Sequence, residues 1–384
     1  MSARLRVGAA SALALLAAAC ATASAPQASS SAQQPNVTAL ATTLTTAGAT
    51  WALVPMGHLD DPLNTFWQAF ALPNSRGKWT LVTPAGVADS GGLVAADAGS
   101  GGVVIGFRPS QALSFSPLAI STDGGTSYTP DLLTGALAEL PDSLAVSPTG
   151  DAAAVVDAGS TVLRRLAGTG QWQQFATRTS IAASALGRAC GVRSVTAVAE
   201  TTAGTYLGLA CSRSGTVGLV QDTAAGLQPA PIALPAALAS AQVDVIRLTS
   251  AGGGVTALLR LDVGGATSYA LAWTNPRHPT WTLTPAISGR GPLASTTIWA
   301  GGAALLTGDS ATDRQLDLIG VNGLSWTSLP PPPAGTVAVA VTGPRVDALA
   351  AGETKFTAYT LNHITRLWSL TQVINVVLPY GSAT

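Results

Sequence analysis

Single aromatic residues recur at a nearly constant interval along most of this 384-residue chain. Each follows a turn that contains Gly, Asn or Pro and precedes a short run of polar and apolar residues. The six positions are Trp79, Tyr128, Trp172, Trp281, Trp326 and Trp368, with spacings of 49, 44, 109, 45 and 42 residues. A matching turn at 222–227 divides the wide gap, with Leu227 in the aromatic position. The chain therefore carries seven marks over 289 residues, a mean period of about 48.

Periods of about 40–50 residues with several short strands per unit are typical of propeller blades. One unit contains four apolar runs bounded by Gly, Pro or Asp, at 144–147, 152–157, 161–166 and 172–176. No unit contains a segment of 12 residues with the apolar period of a helix. The sequence thus predicts an all-β fold, a seven-bladed β-propeller of four-stranded blades over residues 49–384. Two or three stacked β-sandwiches are the competing architecture.

Charge and composition exclude two classes of protein. Charged residues make up 10% of the chain, and 19 Lys and Arg balance 19 Asp and Glu. That balance excludes the basic footprint of a nucleic-acid-binding protein. A hydrophobic content of 47% argues against a disordered polyelectrolyte.

The first 48 residues have the features of a targeting signal followed by a flexible spacer. Arg4 and Arg6 precede an apolar run at 7–19, which is typical of a secretory signal and too short to span a bilayer. The run ends at Cys20 in a sequence similar to a bacterial lipobox, although Leu16 lies one position earlier than the usual leucine. We therefore expect a lipoprotein signal peptide at 1–19, an acylated Cys20 and a flexible Ala/Ser/Thr tether at 20–48. The predicted location is extracytoplasmic, lipid-anchored to the cell membrane; cleavage after Ala25 would instead release a secreted protein.

The chain has three cysteines, and Cys190 and Cys211 remain as a pair once Cys20 is assigned to the lipid. An even pair in an exported protein predicts a disulfide. Two buried free thiols are the alternative.

One turn has a recognisable motif. Ser121, Asp123, Gly125 and Tyr128 follow the pattern Ser-x-Asp-x-Gly-x-x-aromatic, which resembles the Asp-box of sialidase-like propellers. In such a turn the carboxylate accepts hydrogen bonds from nearby backbone N–H groups, and Gly permits a positive φ. The resemblance is to Asp-box propeller lipoproteins of high-GC Gram-positive bacteria. It implies the propeller fold and an envelope location, and it says little about chemistry.

If each aromatic opens an outermost strand, the loops at the other end of the blades surround the central channel. These loops contain Asp89, Arg108, Asp142, Asp157, Arg188, Arg193, Arg213, Asp262, Arg290 and Asp309. Asp89, Arg108 and Asp142 are the candidates for contact with a ligand. Turn capping is the alternative role for the aspartates.

The sequence offers few groups for catalysis. Its three Glu and three His are scattered over different units. We therefore predict a monomeric, non-enzymatic binding or scaffold protein without a cofactor or a metal. The expected partner is an envelope protein or a glycan, with no nucleic acid. The alternatives are a glycan-acting hydrolase or lyase on the same fold, and an assembly factor for a membrane complex.

Overall fold

Strands dominate the chain in the computed structural model, which describes residues 40–57, 65–74, 77–84, 92–99, 101–107, 118–130, 140–251, 253–275, 278–320 and 325–376. Each run of four consecutive strands forms an antiparallel meander, and seven such meanders occur within these ranges. We label them blades 1 to 7 in chain order. The prediction of an all-β propeller is confirmed.

The first three blades have the following strands. Blade 1 contains β1 (Ala41–Thr45), β2 (Ala49–Gly57), β3 (Thr65–Pro73) and β4 (Thr80–Leu81). Blade 2 contains β5 (Leu93–Asp97), β6 (Val103–Phe107), β7 (Leu118–Ser121) and β8 (Thr129–Pro130). Blade 3 contains β9 (Ser143–Val146), β10 (Ala152–Val156), β11 (Thr161–Arg165) and β12 (Gln173–Thr177).

The inner strands of the fourth and fifth blades are longer than those of the first three blades. Blade 4 is preceded by two short helices, α1 (Arg178–Ala182) and α2 (Ala185–Cys190). It contains β13 (Val192–Thr201), β14 (Gly204–Ser214), β15 (Leu219–Thr223) and β16 (Gly226–Pro229). A 3-10 turn at Ala236–Leu238 follows. Blade 5 contains β17 (Gln242–Ala251), β18 (Gly254–Val263), β19 (Ala266–Asn275) and β20 (His278–Leu283), with β21 (Ile287–Ser288) beside β19.

The last two blades complete the set. Blade 6 contains β22 (Leu293–Trp299), β23 (Gly302–Ser310), β24 (Asp313–Ile319) and β25 (Thr327–Ser328). Blade 7 contains β26 (Thr336–Thr342), β27 (Arg345–Ala351), β28 (Lys355–Asn362) and β29 (Leu367–Asn375).

The hydrophobic core lies between neighbouring blades. Alternate residues of one strand face opposite neighbours, so a central strand is buried on both faces. Within β10, Ala153 and Val155 pack towards blade 4, whereas Ala154 and Val156 pack towards blade 2. This two-sided burial explains why the strand reads as a continuous apolar run. Seven such clusters join consecutive blades, the last between blades 7 and 1, so the described blades close into a ring.

The repeating aromatics link each blade to the one before it. The Tyr128 hydroxyl donates to Val82 O (2.5 Å), and the Trp326 Nε1 donates to Pro285 O (2.9 Å). Each acceptor lies just after the outermost strand of the preceding blade. The repeat in the sequence is therefore the period of the blades, because one such side chain per blade packs against the preceding blade, with Leu227 in place of an aromatic ring in blade 4.

The ring closes through side chains and one additional strand pairing. Phe70 of blade 1 stacks on Phe356 of blade 7, with ring centroids 3.7 Å apart. Gln372 of β29 accepts from Trp79 N (2.8 Å) and donates to Trp79 O (2.7 Å), as a paired strand would. In addition, β1 pairs in parallel with β22 of blade 6, with Thr42 opposite Thr296.

The structure corrects the end of the predicted tether of residues 20–48, of which it describes residues 40–48. Residues 41–45 form β1, and Ala41 and Thr43 are buried in it. The segment is rich in Thr, whose branched side chain favours strands. One of its two partners, β22, is distant in the chain: Thr42 and Thr296 are 254 residues apart. A local pattern could therefore not identify this pairing. The predicted signal peptide and Cys20 lie outside the described residues.

Candidate functional site

The innermost strands enclose a cavity of about 150 Å³ on the ring axis. Its apolar lining includes Leu93, Ala95, Leu144, Val198, Leu248 and Ile298. Thr43, Ser143 and Thr249 are among its polar lining residues. Sites for drug-sized ligands usually enclose about 300–1,000 Å³. The cavity that the described residues line is therefore smaller than such a site.

Two charged side chains line this cavity among the described residues, Asp97 of β5 and Arg247 of β17. Burial raises the pKa of Asp97, although its carboxylate accepts a hydrogen bond from Gly99 N (2.9 Å), which acts in the opposite direction. Burial lowers the pKa of Arg247 to about 10. A glycosidase needs two carboxyl groups that flank one bond, and the described lining supplies one.

The structure corrects the expectation that Asp142 faces a ligand. This residue is 6% exposed, and its Oδ2 accepts a hydrogen bond from Gly159 N at 2.8 Å. It thereby holds the turn between β10 and β11, in which Asp157 has a φ of 57°. Capping of this turn is the role that the alternative interpretation assigned to it. Asp89 and Arg108 lie outside the described residues.

The one histidine side chain that the structure describes lies at the surface, away from the cavity. His363 is exposed and its Nε2 lies 2.5 Å from Pro344 O. His58 and the side chain of His278 are not described. Within the described ranges, no group of three or more metal-ligating side chains occurs. No helix in those ranges has the length and apolarity needed to cross a membrane.

The predicted disulfide between Cys190 and Cys211 is present. Cys190 is the last residue of α2, and Cys211 lies in β14 opposite Val192. Gly191 ends the helix with a φ of 64°, and a Cβ there would lie 2.4 Å from the Ser212 Oγ. The bridge therefore fixes the short helices onto the beginning of blade 4. These helices were not predicted, because five or six residues are too few for a recognisable helical period.

The turn with the Asp-box pattern is a closed hydrogen-bond network. Asp123 accepts from Ser127 N (2.9 Å), Ser127 Oγ (2.6 Å) and Ser121 Oγ (2.9 Å). The hydrogen bonds from Ser127 lower the pKa of Asp123 to about 2. Gly125 has a φ of 86°, and a Cβ there would lie 2.6 Å from Val82 Cβ. All of these contacts stabilise the turn and its packing on blade 1. The role of the motif that they support is therefore structural.

A second polar assembly lies where β13 and β17 begin. Asp244 is 3% exposed and accepts two hydrogen bonds from Arg193 Nη2, at 2.7 and 2.8 Å. Arg260 Nη2 donates to Asp244 Oδ2, and Cys211 N donates to Asp244 Oδ1 (3.1 Å). Arg260 also pairs with Asp262, at 3.3 Å. The carboxylate of Asp244 thus joins blades 4 and 5 beside the disulfide.

The loop residues predicted to surround the channel have a different distribution in the structure. Arg188, Arg193, Arg213 and Asp262 lie at this end of blades 4 and 5, and none of them lines the cavity. Arg290 forms an exposed ion pair with Asp313 (2.9 Å). Sequence reasoning missed Asp244, because an aspartate inside a strand gives no local signal of its long-range partners.

One buried carboxyl has an altered affinity for protons. Glu200, at the end of β13, is 3% exposed and accepts a hydrogen bond from Thr205 Oγ1 (2.7 Å). Burial raises the pKa of Glu200 to about 7, against the smaller opposing effects of Thr205 and Arg164. The folded chain therefore binds this proton more tightly than the unfolded chain does. The resulting stabilisation is complete below pH 4.5, the ordinary pKa, and is lost as pH rises through about 7.

We expect Glu200→Gln to remove this pH dependence, because an amide does not ionise. The free energy of unfolding of the natural chain should fall by on the order of 3 kcal/mol between pH 4.5 and pH 7, and the variant should lack this component. Urea unfolding at a series of pH values measures both. Glu353→Gln, at an exposed glutamate, is the control. Parallel pH profiles for the natural chain and Glu200→Gln would contradict the assignment.

No protein-family model matches this sequence, and no curated protein matches it. Among solved structures, the chain is similar to a protein from Lactobacillus plantarum at 12% identity and a TM-score of 0.52, over 86% of this chain and 97% of that one. It is similar to a candidate 6-phosphogluconolactonase from Bacteroides fragilis at 11% identity and a TM-score of 0.48, over 87% and 97% of the two chains. The likeness to the Lactobacillus plantarum protein concerns the fold alone at this identity, and it agrees with the propeller seen in the strand pairing.

Proposed function

We propose that this chain is a non-enzymatic binding or scaffold protein of the cell envelope, which presents the outer surface of its propeller to a partner. The observation that carries the proposal is the lining of the channel. Among the described residues, its walls are aliphatic and hydroxyl side chains with one carboxylate and one guanidinium, at Asp97 and Arg247. Catalysis requires several reactive groups around one reacting centre, and this lining provides no such set.

An envelope location follows from the same proposal. The apolar run at 7–19 followed by Cys20 supports export and lipid attachment. The Cys190–Cys211 disulfide supports an oxidising compartment, where such bonds persist. The hydrogen-bonded turn at Asp123 is compatible with a relationship to the Asp-box propeller lipoproteins that the motif resembles.

The test is an activity screen on the purified full-length chain. We expect no turnover of sialosides, other glycosides, polysaccharides or sugar lactones above the rate in buffer. An Asp97→Asn variant is assayed in parallel, because Asp97 is the carboxylate of the described channel lining. Turnover by the natural chain that disappears in correctly folded Asp97→Asn would place a hydrolase or lyase site in the channel and overturn the proposal.

A further inference from the structure

Arginines are concentrated at the end of blades 4 and 5 where β13 and β17 begin. The set, which we name the arginine surface, consists of Arg178, Arg188, Arg193, Arg213 and Arg260. Residues 178–213 contain four of these arginines and one acidic residue, although the whole chain has a net charge of zero. The excess of positive charge in this segment is therefore local.

Contacts place these arginines together. Arg178 Nη1 donates to Arg193 O (3.2 Å), and Arg193 shares the Asp244 carboxylate with Arg260. Arg188 lies two residues before Cys190 and Arg213 two residues after Cys211, so the disulfide brings the two arginines to one region. A side chain at Gly191, next to the disulfide, would contact Arg213: its Cβ would lie 3.2 Å from Arg213 Cγ.

Three of the five guanidinium groups have no paired carboxylate in the described chain. Asp244 neutralises part of the charge of Arg193 and Arg260, and Asp262 pairs with Arg260. By contrast, Arg178 donates to a backbone carbonyl, and so does Arg188, whose Nη1 contacts Ala183 O. These side chains and Arg213 are exposed. Their remaining N–H groups are therefore available to an external anion.

The scaffold beneath the arginine surface is held firmly. The side chain of Thr177 caps α1 through Ser180 N (3.1 Å), and that of Ser184 caps α2 through Gly187 N (2.9 Å). The disulfide fixes the end of α2 to β14. A preorganised cationic surface loses little conformational entropy when an anion binds.

We propose that the arginine surface binds a polyanionic polysaccharide that carries carboxylate or phosphate groups along its chain. The inference rests on the proposed function as a binding protein and names its ligand class. Guanidinium groups match carboxylate and phosphate oxygens in geometry as well as charge. Several separate cations over one surface fit a ligand with repeated charges better than a single small anion.

The surroundings favour a polysaccharide over a protein or a membrane. Among the described residues, the exposed large apolar side chains are Leu81, Leu166, Ile364, Leu367, Leu370 and Val373, and none lies in 178–213. A protein partner usually contacts an apolar or aromatic centre. A membrane-binding segment inserts apolar side chains beside its charges. Neither feature is present on the described arginine surface.

Binding is tested with the purified full-length chain and two probes, polygalacturonate for carboxylates and phosphomannan for phosphodiesters, with neutral dextran as the reference. We expect one or both polyanions to bind at low ionic strength, to bind more weakly as salt is raised, and to bind more tightly than dextran. The triple variant Arg178→Gln, Arg188→Gln and Arg213→Gln should weaken binding about tenfold or more, because it removes three charge-assisted contacts without breaking an ion pair.

A matched triple variant controls for net charge. Lys78→Gln, Lys355→Gln and Arg366→Gln remove the same charge from exposed positions of blades 1 and 7, and should leave the affinity within about twofold. Equal loss in both triple variants, or absence of binding by the natural chain, would overturn the proposal. So would tighter binding to polyglutamate or to phosphatidylglycerol vesicles than to either polysaccharide. Release of reducing ends from the bound polymer would contradict the non-enzymatic function and leave the arginine surface as its binding site.

Discussion

Replacement of Phe356 by Ala is expected to destabilise the chain by about 3–5 kcal/mol and to loosen the ring at one place. Phe356 is fully buried, stacks on Phe70 and meets the Trp79 ring edge-on, with centroids 6.0 Å apart. These contacts join the first and last blades, between which no strands are hydrogen-bonded to each other in the described chain. Urea unfolding measures the loss of stability, and amide hydrogen exchange shows where the chain opens.

Leu305→Ala is the matched control for this variant. Leu305 is equally buried, but it packs between blades 5 and 6, away from the closure. We expect a loss of about 2–5 kcal/mol from this substitution as well. In Phe356→Ala, however, amide exchange should accelerate first in β2, β3, β27 and β28. A loss below about 1 kcal/mol for Phe356→Ala, or the same exchange pattern in both variants, would contradict the role of Phe356 in ring closure.

Removal of the disulfide has the second large expected effect. The double variant Cys190→Ala and Cys211→Ala should lose about 3 kcal/mol of stability, since the bond closes a loop across 21 positions of sequence. The loss should appear as a lower Tm, with the earliest exchange in α1, α2 and the start of β13. Thermal unfolding and hydrogen exchange of the natural chain and the variant measure it.

Reductant provides the control for that prediction. Both cysteines are fully buried, so reductant alone should leave the folded natural chain oxidised. With denaturant added, reduction should lower its stability to that of the double variant, and reductant should not change the double variant at all. Two thiols that react with an alkylating agent in the unreduced, denatured chain would disprove the bridge.

Local patterns were sufficient for the strands and their repetition. Predicted runs at 144–147 and 152–157 correspond to β9 and β10, and those at 161–166 and 172–176 correspond to β11 and β12. A strand buried between two blades must be apolar on both faces, and a tight turn needs Gly or Asp, so both features are visible in the sequence. The aromatic period was visible because each blade repeats one contact with its predecessor.

Candidate site residues were harder to place, and Asp142 shows why. The sequence predicts that Asp142 lies in a loop, but the direction of its carboxylate depends on Gly159, in a turn 17 residues away. Asp97 and Arg247 of the channel were missed because each lies in a strand with no local motif. A single side chain inside a strand acquires its function from the strands around it.

The sequence by itself determined the all-β propeller, the blade period and the Cys190–Cys211 pair, since each depends on local alternation, turn residues or the count of one residue type. Only the tertiary structure decided that residues 41–45 belong to the ring, that Phe70 and Phe356 close it, and that Asp244 gathers Arg193 and Arg260. These features join residues that are distant in the chain. Their free energy comes from burial and charge pairing between blades, which no local pattern records.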